Sequence, residues 1–366
     1  MTVREFTAEG AVHLVSGLPS ALTPADIFRA VDDDQLREQL VGCNLYLVTC
    51  RRRILIDYQS FALSGDIVTG NFCVVRGEQW VTLPFRFRLR FEHHLGHPES
   101  LELMASASGT HMAVQRDGFT ILIASHVIVA EAECDLTDEE RDLHVLYVGQ
   151  GVGRTGSKLA IDRLSNHATL QRILADMQTY SPDTEVLLLL YRFDLSRTII
   201  STGGDMNLDV AAEVEEDDLH LKQLCDARIG RRARISLAEA ALINYFQPTY
   251  NVTFRKTNFA AQRKLKLLQE ALSHDLTGLI VEICSHTLRA RLRSEARPPV
   301  EIDADVVEGY RRLAKEQGEL AERAREELDQ MQHTHYANFP FTQADERDSF
   351  LHGTRWLGSD ERQPFL

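Results

Sequence analysis

His144-Val145-Leu146-Tyr147-Val148-Gly149-Gln150 is an apolar, β-branched run closed by a glycine, and it leads through a glycine-rich stretch into Arg163-Leu164-Ser165-Asn166-His167. β-branched and aromatic side chains suit a pleated, half-buried surface, so residues 143–148 read as a strand. A long helix is expected over residues 157–178, followed after Pro182 by the very apolar strand 185–193. Downstream, Glu239-Ala240-Ala241-Leu242-Ile243-Asn244-Tyr245-Phe246-Gln247-Pro248-Thr249-Tyr250-Asn251 begins as a helix over residues 237–246. Proline disfavours helical geometry in the residue before it, so Gln247-Pro248 ends that helix. Upstream, residues 125–134 read as a strand and 135–142 as a polar turn. The class expected is α+β, a small antiparallel sheet flanked by helices.

The surroundings divide by pattern. Residues 44–123 read mainly as strands, and Val81-Thr82-Leu83-Pro84-Phe85-Arg86-Phe87-Arg88-Leu89-Arg90-Phe91 alternates apolar and basic with period two. That strand has either an ordinary solvated face or a basic surface for phosphate, helped by Arg51-Arg52-Arg53. Residues 207–218 are acidic and read as an exposed insertion. Residues 304–331 have high helix propensity, with Glu319 and Arg323 at i,i+4 spacing, and are expected to form a long helix, either exposed or packed against a second copy or a partner protein. The tail from His333 either folds back through Phe339, Phe341, Phe350 and Trp356 or stays mobile. The expected units are a β-rich domain over 1–124, a central domain over 125–256, a helical extension over 257–332 and a tail over 333–366.

At 366 residues, with 44% hydrophobic and 26% charged residues, the composition is that of a globular protein. No apolar run approaches the roughly 20 residues that cross a bilayer, and Met1-Thr2-Val3-Arg4-Glu5-Phe6 lacks a signal peptide's apolar core, so no membrane partner and a cytoplasmic location are expected. The six cysteines are scattered with no Cys-x-x-Cys pair, which speaks against a zinc ribbon or disulfide framework. His93, His94 and His97 have no partner at ligand spacing and read as an exposed turn. The net charge of -14 speaks against a uniformly basic surface, but between Asp226 and Arg297 stand 13 Lys and Arg against 6 Asp and Glu. A local excess of this kind can hold a polyanion.

Chemistry concentrates in a few side chains. Arg163 and His167, four apart on one helix, would share a face about 6 Å apart along the axis. Arginine's planar fork suits phosphate, and histidine exchanges protons near neutral pH. Glu239 starts an apolar stripe with Leu242, Ile243 and Phe246; a carboxylate partly buried there needs a compensating partner, which a divalent cation would supply. Ser236-Leu237-Ala238-Glu239 equally fits a capping box. Gly151 and Gly156 have Walker A spacing, but Ser157-Lys158 transposes the required lysine and hydroxyl, so this stretch is either a plain loop or one that brings Arg154 and Lys158 to a nucleic-acid backbone.

Over roughly residues 126–256 these segments resemble the two halves of a GIY-YIG nuclease active site, in the restriction-endonuclease-like branch. Tyr147-Val148-Gly149 corresponds to the YIG half, Arg163 and His167 to the arginine and, one turn later, the histidine of that branch, and Glu239 to the metal-binding glutamate. The family follows that glutamate one helix later with a proline-containing turn and Tyr-Asn, as Pro248-Thr249-Tyr250-Asn251 does here. The resemblance implies hydrolysis of nucleic-acid phosphodiesters, DNA foremost, in restriction, anti-phage defence or repair. It implies Mg2+ or Mn2+ on Glu239, Arg163 against charge on the non-bridging oxygens, Tyr147 and His167 on the water, and Asn251 bracing the site. Arg154, Lys158, Arg231, Arg232, Arg234, Arg255 and Lys256 are the expected nucleic-acid contacts. The expected first-motif strand, Ser125-His126-Val127-Ile128-Val129-Ala130, has no tyrosine. A non-cleaving nucleic-acid-binding subunit, or a scaffold of a larger defence or repair complex, therefore stays open.

Overall fold

Residues 45–52, Leu-Tyr-Leu-Val-Thr-Cys-Arg-Arg, form the middle strand of a five-stranded sheet. The computed structural model describes residues 5–89, 102–116, 119–151, 159–201, 209–315 and 318–341, and the chain is a mixed α+β protein. Across the central sheet the order is Leu292–Arg293, Leu143–Gln150, Leu45–Arg52, Thr184–Tyr191 and Ser20–Leu22. Leu45–Arg52 runs antiparallel to both of its neighbours. Both faces of this sheet are covered, which is why Leu187-Leu188-Leu189-Leu190 is a continuous apolar run rather than an alternating one.

On one face, Leu45, Leu47, Val145, Val148, Leu187 and Leu189 pack with Leu237, Ala241 and Leu242 of the helix Arg231–Phe246. The other side of that helix meets a second sheet, ordered Leu195–Ser201, Glu9–Val15, Gly278–Cys284 and Thr334–Pro340, through Val12, Leu279 and Val281. On the opposite face, Tyr46, Val48, Leu146 and Leu188 pack under the helices Pro24–Asp32, Ala160–Leu164 and Ala168–Tyr180.

Residues 53–142, which connect the two middle strands, carry a core of their own. Val68, Phe72, Phe85 and Phe87 pack there with Met112, Val114, Ile128 and Val129. The strand Gln79–Arg88 alternates as expected: Leu83, Phe85 and Phe87 are buried, Arg86 and Arg88 exposed. Arg90, Phe91 and the three histidines 93, 94 and 97 lie outside the described residues.

Several expectations are corrected. Ser125–Glu131, expected as a strand, is a helix that buries His126, Ile128 and Val129 against the inserted unit. The expected division at 124/125 therefore cuts through one core, and the partner strand of Leu143–Gln150 lies at 45–52. Residues 138–141 of the expected turn form a helical turn capped by Thr137. The helix expected over 157–178 is broken: Ser165 Oγ bonds back to the Asp162 carbonyl at 3.2 Å, and His167 adopts an extended N-cap conformation before Ala168–Tyr180. The acidic stretch enters a helix, Val214–Asp226, while residues 207 and 208 lie outside the described set. The expected helical extension contains the strand Gly278–Cys284, whose apolar residues complete the second sheet. Residues 304–331 form two helices, Ala304–Leu313 and Glu319–Gln332, parted at Gly318 with φ +95°. Of the tail, Thr334–Pro340 is a strand and Phe341 is buried; Phe350 and Trp356 are outside the described residues.

Candidate functional site

The carboxyl end of Leu143–Gln150 lies beside the amino end of Leu45–Arg52, with Gly149 directly opposite Tyr46. A register irregularity between Val145 and Tyr147 lets Leu146 and Tyr147 both pack on the Tyr46 side. A Cβ on residue 149 would stand 2.5 Å from the Tyr46 hydroxyl and 2.7 Å from Tyr147 Cε1. Glycine is thus required by the rings that crowd over it. Gly151 is constrained in the same way, since a Cβ there would come within 2.5 Å of Ala160 Cα at the start of the Arg163 helix.

Three rings meet above Gly149. Tyr147 and His167 have centroids 5.2 Å apart, Tyr46 and His167 6.0 Å, and Tyr46 and Tyr147 6.2 Å. Arg163 and His167 both stand at this strand end, but on the two sides of a turn and not on one helical face. Arg163 Nη1 donates to the Gln150 carbonyl at 2.6 Å, which holds the exposed guanidinium at the strand's end. Its charge acts on Tyr46, Tyr147, His167 and Glu239 alike, which places all five groups in one electrostatic environment.

Glu239 sits well inside Arg231–Phe246, so the capping-box alternative does not hold. It is half-buried, and desolvation pushes its carboxyl up to about 7, against the opposing pull of Arg163 and hydrogen bonding from Gln150. Burial also raises both phenols: Tyr46 is driven well above the ordinary range, and Tyr147 is raised less, with Glu239 adding to the effect. His167 moves the other way, lowered first by burial and then by Arg163. At neutral pH the two tyrosines are therefore proton donors and His167 is a neutral acceptor. Its Nδ1 is buried with no hydrogen-bond partner among the described residues.

Asn251 braces the strand from behind. Val148 N–H donates to Asn251 Oδ1, and Asn251 Nδ2 donates back to the Val148 carbonyl, each at 2.9 Å, while Tyr250 N–H donates to the Leu146 carbonyl at 3.1 Å. The left-handed Gln247, φ 47°, turns the chain out of the helix so that Pro248 to Asn251 lie along this edge. Tyr250 reaches Asp176 with its hydroxyl at 2.8 Å, and the Arg172 guanidinium stands 5.8 Å from its ring centre.

The expected nucleic-acid contacts divide differently. Arg231 donates to Asn44 Oδ1 and Arg234 to the Asp194 carbonyl, so both are engaged in holding the helix to its neighbours. Arg232 and Lys256 are exposed and Arg255 is half-buried. Arg154 and Lys158 lie outside the described residues.

Tyr46 and Asn44 were missed by sequence reasoning. Asn44 joins three segments: its N–H donates to the Tyr191 carbonyl, its carbonyl accepts from Gly151, and its side chain accepts from Arg231. A tyrosine in the apolar strand Leu45-Tyr46-Leu47-Val48 was the available signal. It stood beyond the short connections that normally join antiparallel neighbours. Searched against known proteins, the chain matches no family model, no curated protein and no solved structure.

Proposed function

We propose that this protein is a metal-assisted phosphodiesterase of nucleic acid, DNA foremost, with a GIY-YIG-like core into which residues 53–142 are inserted. The observation that carries this reading is the meeting of Tyr46, Tyr147 and His167 over Gly149, with Arg163 and Glu239 at the neighbouring Gln150 and Asn251 bracing the strand. Five chemically useful groups from four separate stretches meet at one strand end. A packing core would have placed apolar residues there instead.

Arg163, exposed and held by the Gln150 carbonyl, presents its fork to a phosphate oxygen and offsets the charge that accumulates there in the transition state. His167, neutral near pH 7, accepts the proton of the attacking water. Tyr147, half-buried and held as a phenol, orients that water and the phosphate by donating a hydrogen bond, with the buried Tyr46 ring behind it. Glu239 fits a divalent cation, because a carboxyl raised to about 7 by burial gains most from a neighbouring positive charge. Among the described residues no group of three or more His, Cys, Asp or Glu gathers, so Glu239 is the carboxylate this reading assigns to Mg2+ or Mn2+. Magnesium accepts such a site, completing its shell with water and phosphate oxygens. When bound, the ion supplies Lewis-acid polarisation of the phosphate.

A second reading, a nucleic-acid-binding subunit that does not cut, is favoured by the same raised carboxyl, since a protonated acid is no ligand. Glu239→Gln separates the two. The substitution removes the charge and nearly conserves volume, so metal-dependent cleavage of single- or double-stranded DNA or RNA is lost in a protein that still melts cooperatively. Undiminished cleavage by a folded Glu239→Gln protein removes Glu239 from the site. Absence of Mg2+- or Mn2+-dependent cleavage by the unaltered protein favours the binding subunit.

A further inference from the structure

At the far end of the same two strands, where the inserted unit meets the central sheet, lies a cavity of about 620 Å3. Its walls come from the carboxyl end of Leu45–Arg52, the amino end of Leu143–Gln150, Arg293, and residues 74–77 and 137–142 of the insert. Five arginines and His144 line it against three carboxylates, and the pairing within it is uneven. Arg51 is bound by Glu185 at 2.6 Å and Arg76 by Glu140 at 2.8 Å. Asp142 is held from outside by Arg291 at 2.9 Å. Arg52 and Arg53 reach only carbonyls, those of Val75 and Thr184, and Arg293 is exposed. None of these last three has a carboxylate partner among the described residues, while Glu139 and the nearby Glu295 are the acids left to face them. Guanidiniums that spend their donors on carbonyls keep their charge for a ligand.

The groove and the candidate site lie at opposite ends of Leu45–Arg52. Tyr250 lies under Arg172 and beside the strand that bears Tyr147, and it packs against the same apolar cluster as Cys50. Six residues separate Tyr46 from Arg52 along one strand, about 20 Å at the rise of an antiparallel strand. At 3.4 Å per nucleotide of a duplex strand, that is about six base-pair steps.

We propose that Arg52, Arg53 and Arg293 form a phosphate-binding groove that seats the nucleic-acid backbone about six base pairs from the point of cleavage, with the inserted unit as its outer wall. The cleavage point rests on the nuclease reading; the groove itself is tested by binding alone. Two duplexes suffice, one of about 24 base pairs and one of about 8, the latter too short to span from Tyr46 to Arg52 when centred on the site. In the Arg52→Gln/Arg293→Gln protein, affinity for the long duplex falls about tenfold at moderate salt, and the slope of log affinity against log salt becomes shallower by about two. Affinity for the short duplex is unchanged, and Arg52→Lys/Arg293→Lys recovers most of the loss, since phosphate contact at this distance depends on charge. Equal loss on both lengths, no change on either, or no binding of the long duplex by the unaltered protein overturns the groove. Cleavage is read separately. A protein that binds the long duplex through these arginines and cuts nothing upholds the groove and removes the nuclease reading. One that cuts both duplexes and is indifferent to the double substitution does the reverse.

Discussion

Leu45–Arg52 and Leu143–Gln150 lie side by side for most of their length, yet they differ in what supports them. Leu45–Arg52 is flanked by full-length strands on both sides, and Tyr46, Leu47 and Val48 are completely buried. Leu143–Gln150 has only the two-residue strand Leu292–Arg293 on its outer edge, and past that point Tyr250 and Asn251 supply its hydrogen bonds. Tyr147 on this strand is correspondingly half-buried and within reach of a ligand. One strand is a fixed floor and the other a supported rim. With Tyr147 on the rim and the crowding Tyr46 ring on the floor, the strand end is open to solvent but geometrically constrained.

The largest effect is expected where the rim meets the ligand. Arg163→Lys keeps the charge and loses the fork, so single-turnover cleavage at saturating protein falls by about 100-fold or more while equilibrium binding changes little. Equal losses in rate and binding would make Arg163 a plain backbone contact. His167→Ala impairs the same step, since it removes the neutral acceptor.

Next comes the brace of the rim. Asn251→Ala leaves the Val148 N–H and carbonyl without partners in a buried place, which costs about 3 kcal/mol by denaturant unfolding. Removing a comparable bond from an exposed edge would cost a few tenths. A loss below about 1 kcal/mol indicates that water replaces the asparagine and that the rim is wetter than drawn.

The contact between floor and rim is tested at Gly149. Gly149→Ala forces the Tyr46 ring aside and destabilises the fold by about 2 kcal/mol. Tyr46→Leu in the same chain shortens the obstructing side chain and recovers part of that loss, so the two substitutions are non-additive by about 1 kcal/mol. Additive effects would place the strain caused by Gly149→Ala elsewhere than on Tyr46.

The rim was legible in the sequence and the floor was not. Apolar periodicity marks the strand and the helix that carry Tyr147 and Glu239, and Gln247-Pro248 marks the turn before Asn251, while the grouping of these residues with Arg163 and His167 is what the resemblance implies. Tyr46 pairs with Gly149 across residues 53–142, and no local rule links residues so far apart. The same non-locality hid the second sheet, in which Glu9–Val15 pairs in parallel with Gly278–Cys284. The strand expected at 125–130 failed for a different reason. His126-Val127-Ile128-Val129 is β-branched and has high strand propensity, yet it is helical because its apolar residues complete the insert's core. The spacing of Arg163 and His167 predicts one helix, whereas the Ser165-Asn166 turn breaks it and still leaves Arg163 at Gln150 and His167 at Tyr147.

The smallest expected effect tests the burial of Glu239 without any substrate. Its carboxyl is raised to about 7 in the folded protein and returns to an ordinary value near 4.5 when unfolded. Below about pH 4.5 the group is protonated in both states and costs nothing. Above about pH 7 it is ionised in both, and the folded state bears the full cost of the buried charge. Stability contributed by the protonated form is therefore lost as pH rises from about 4.5 through 7, by on the order of 1–2 kcal/mol once solvent screening of a half-buried group is allowed for. Glu239→Gln removes this slope, so the variant equals the unaltered protein near pH 4.5 and exceeds it at pH 8. Mg2+ or Mn2+ acts on the same charge from the other side, and should raise the melting temperature of the unaltered protein at pH 8 but not that of Glu239→Gln. Parallel pH profiles for the two proteins would mean that solvent reaches Glu239 freely, and the floor and rim would then enclose less of the site than their geometry implies.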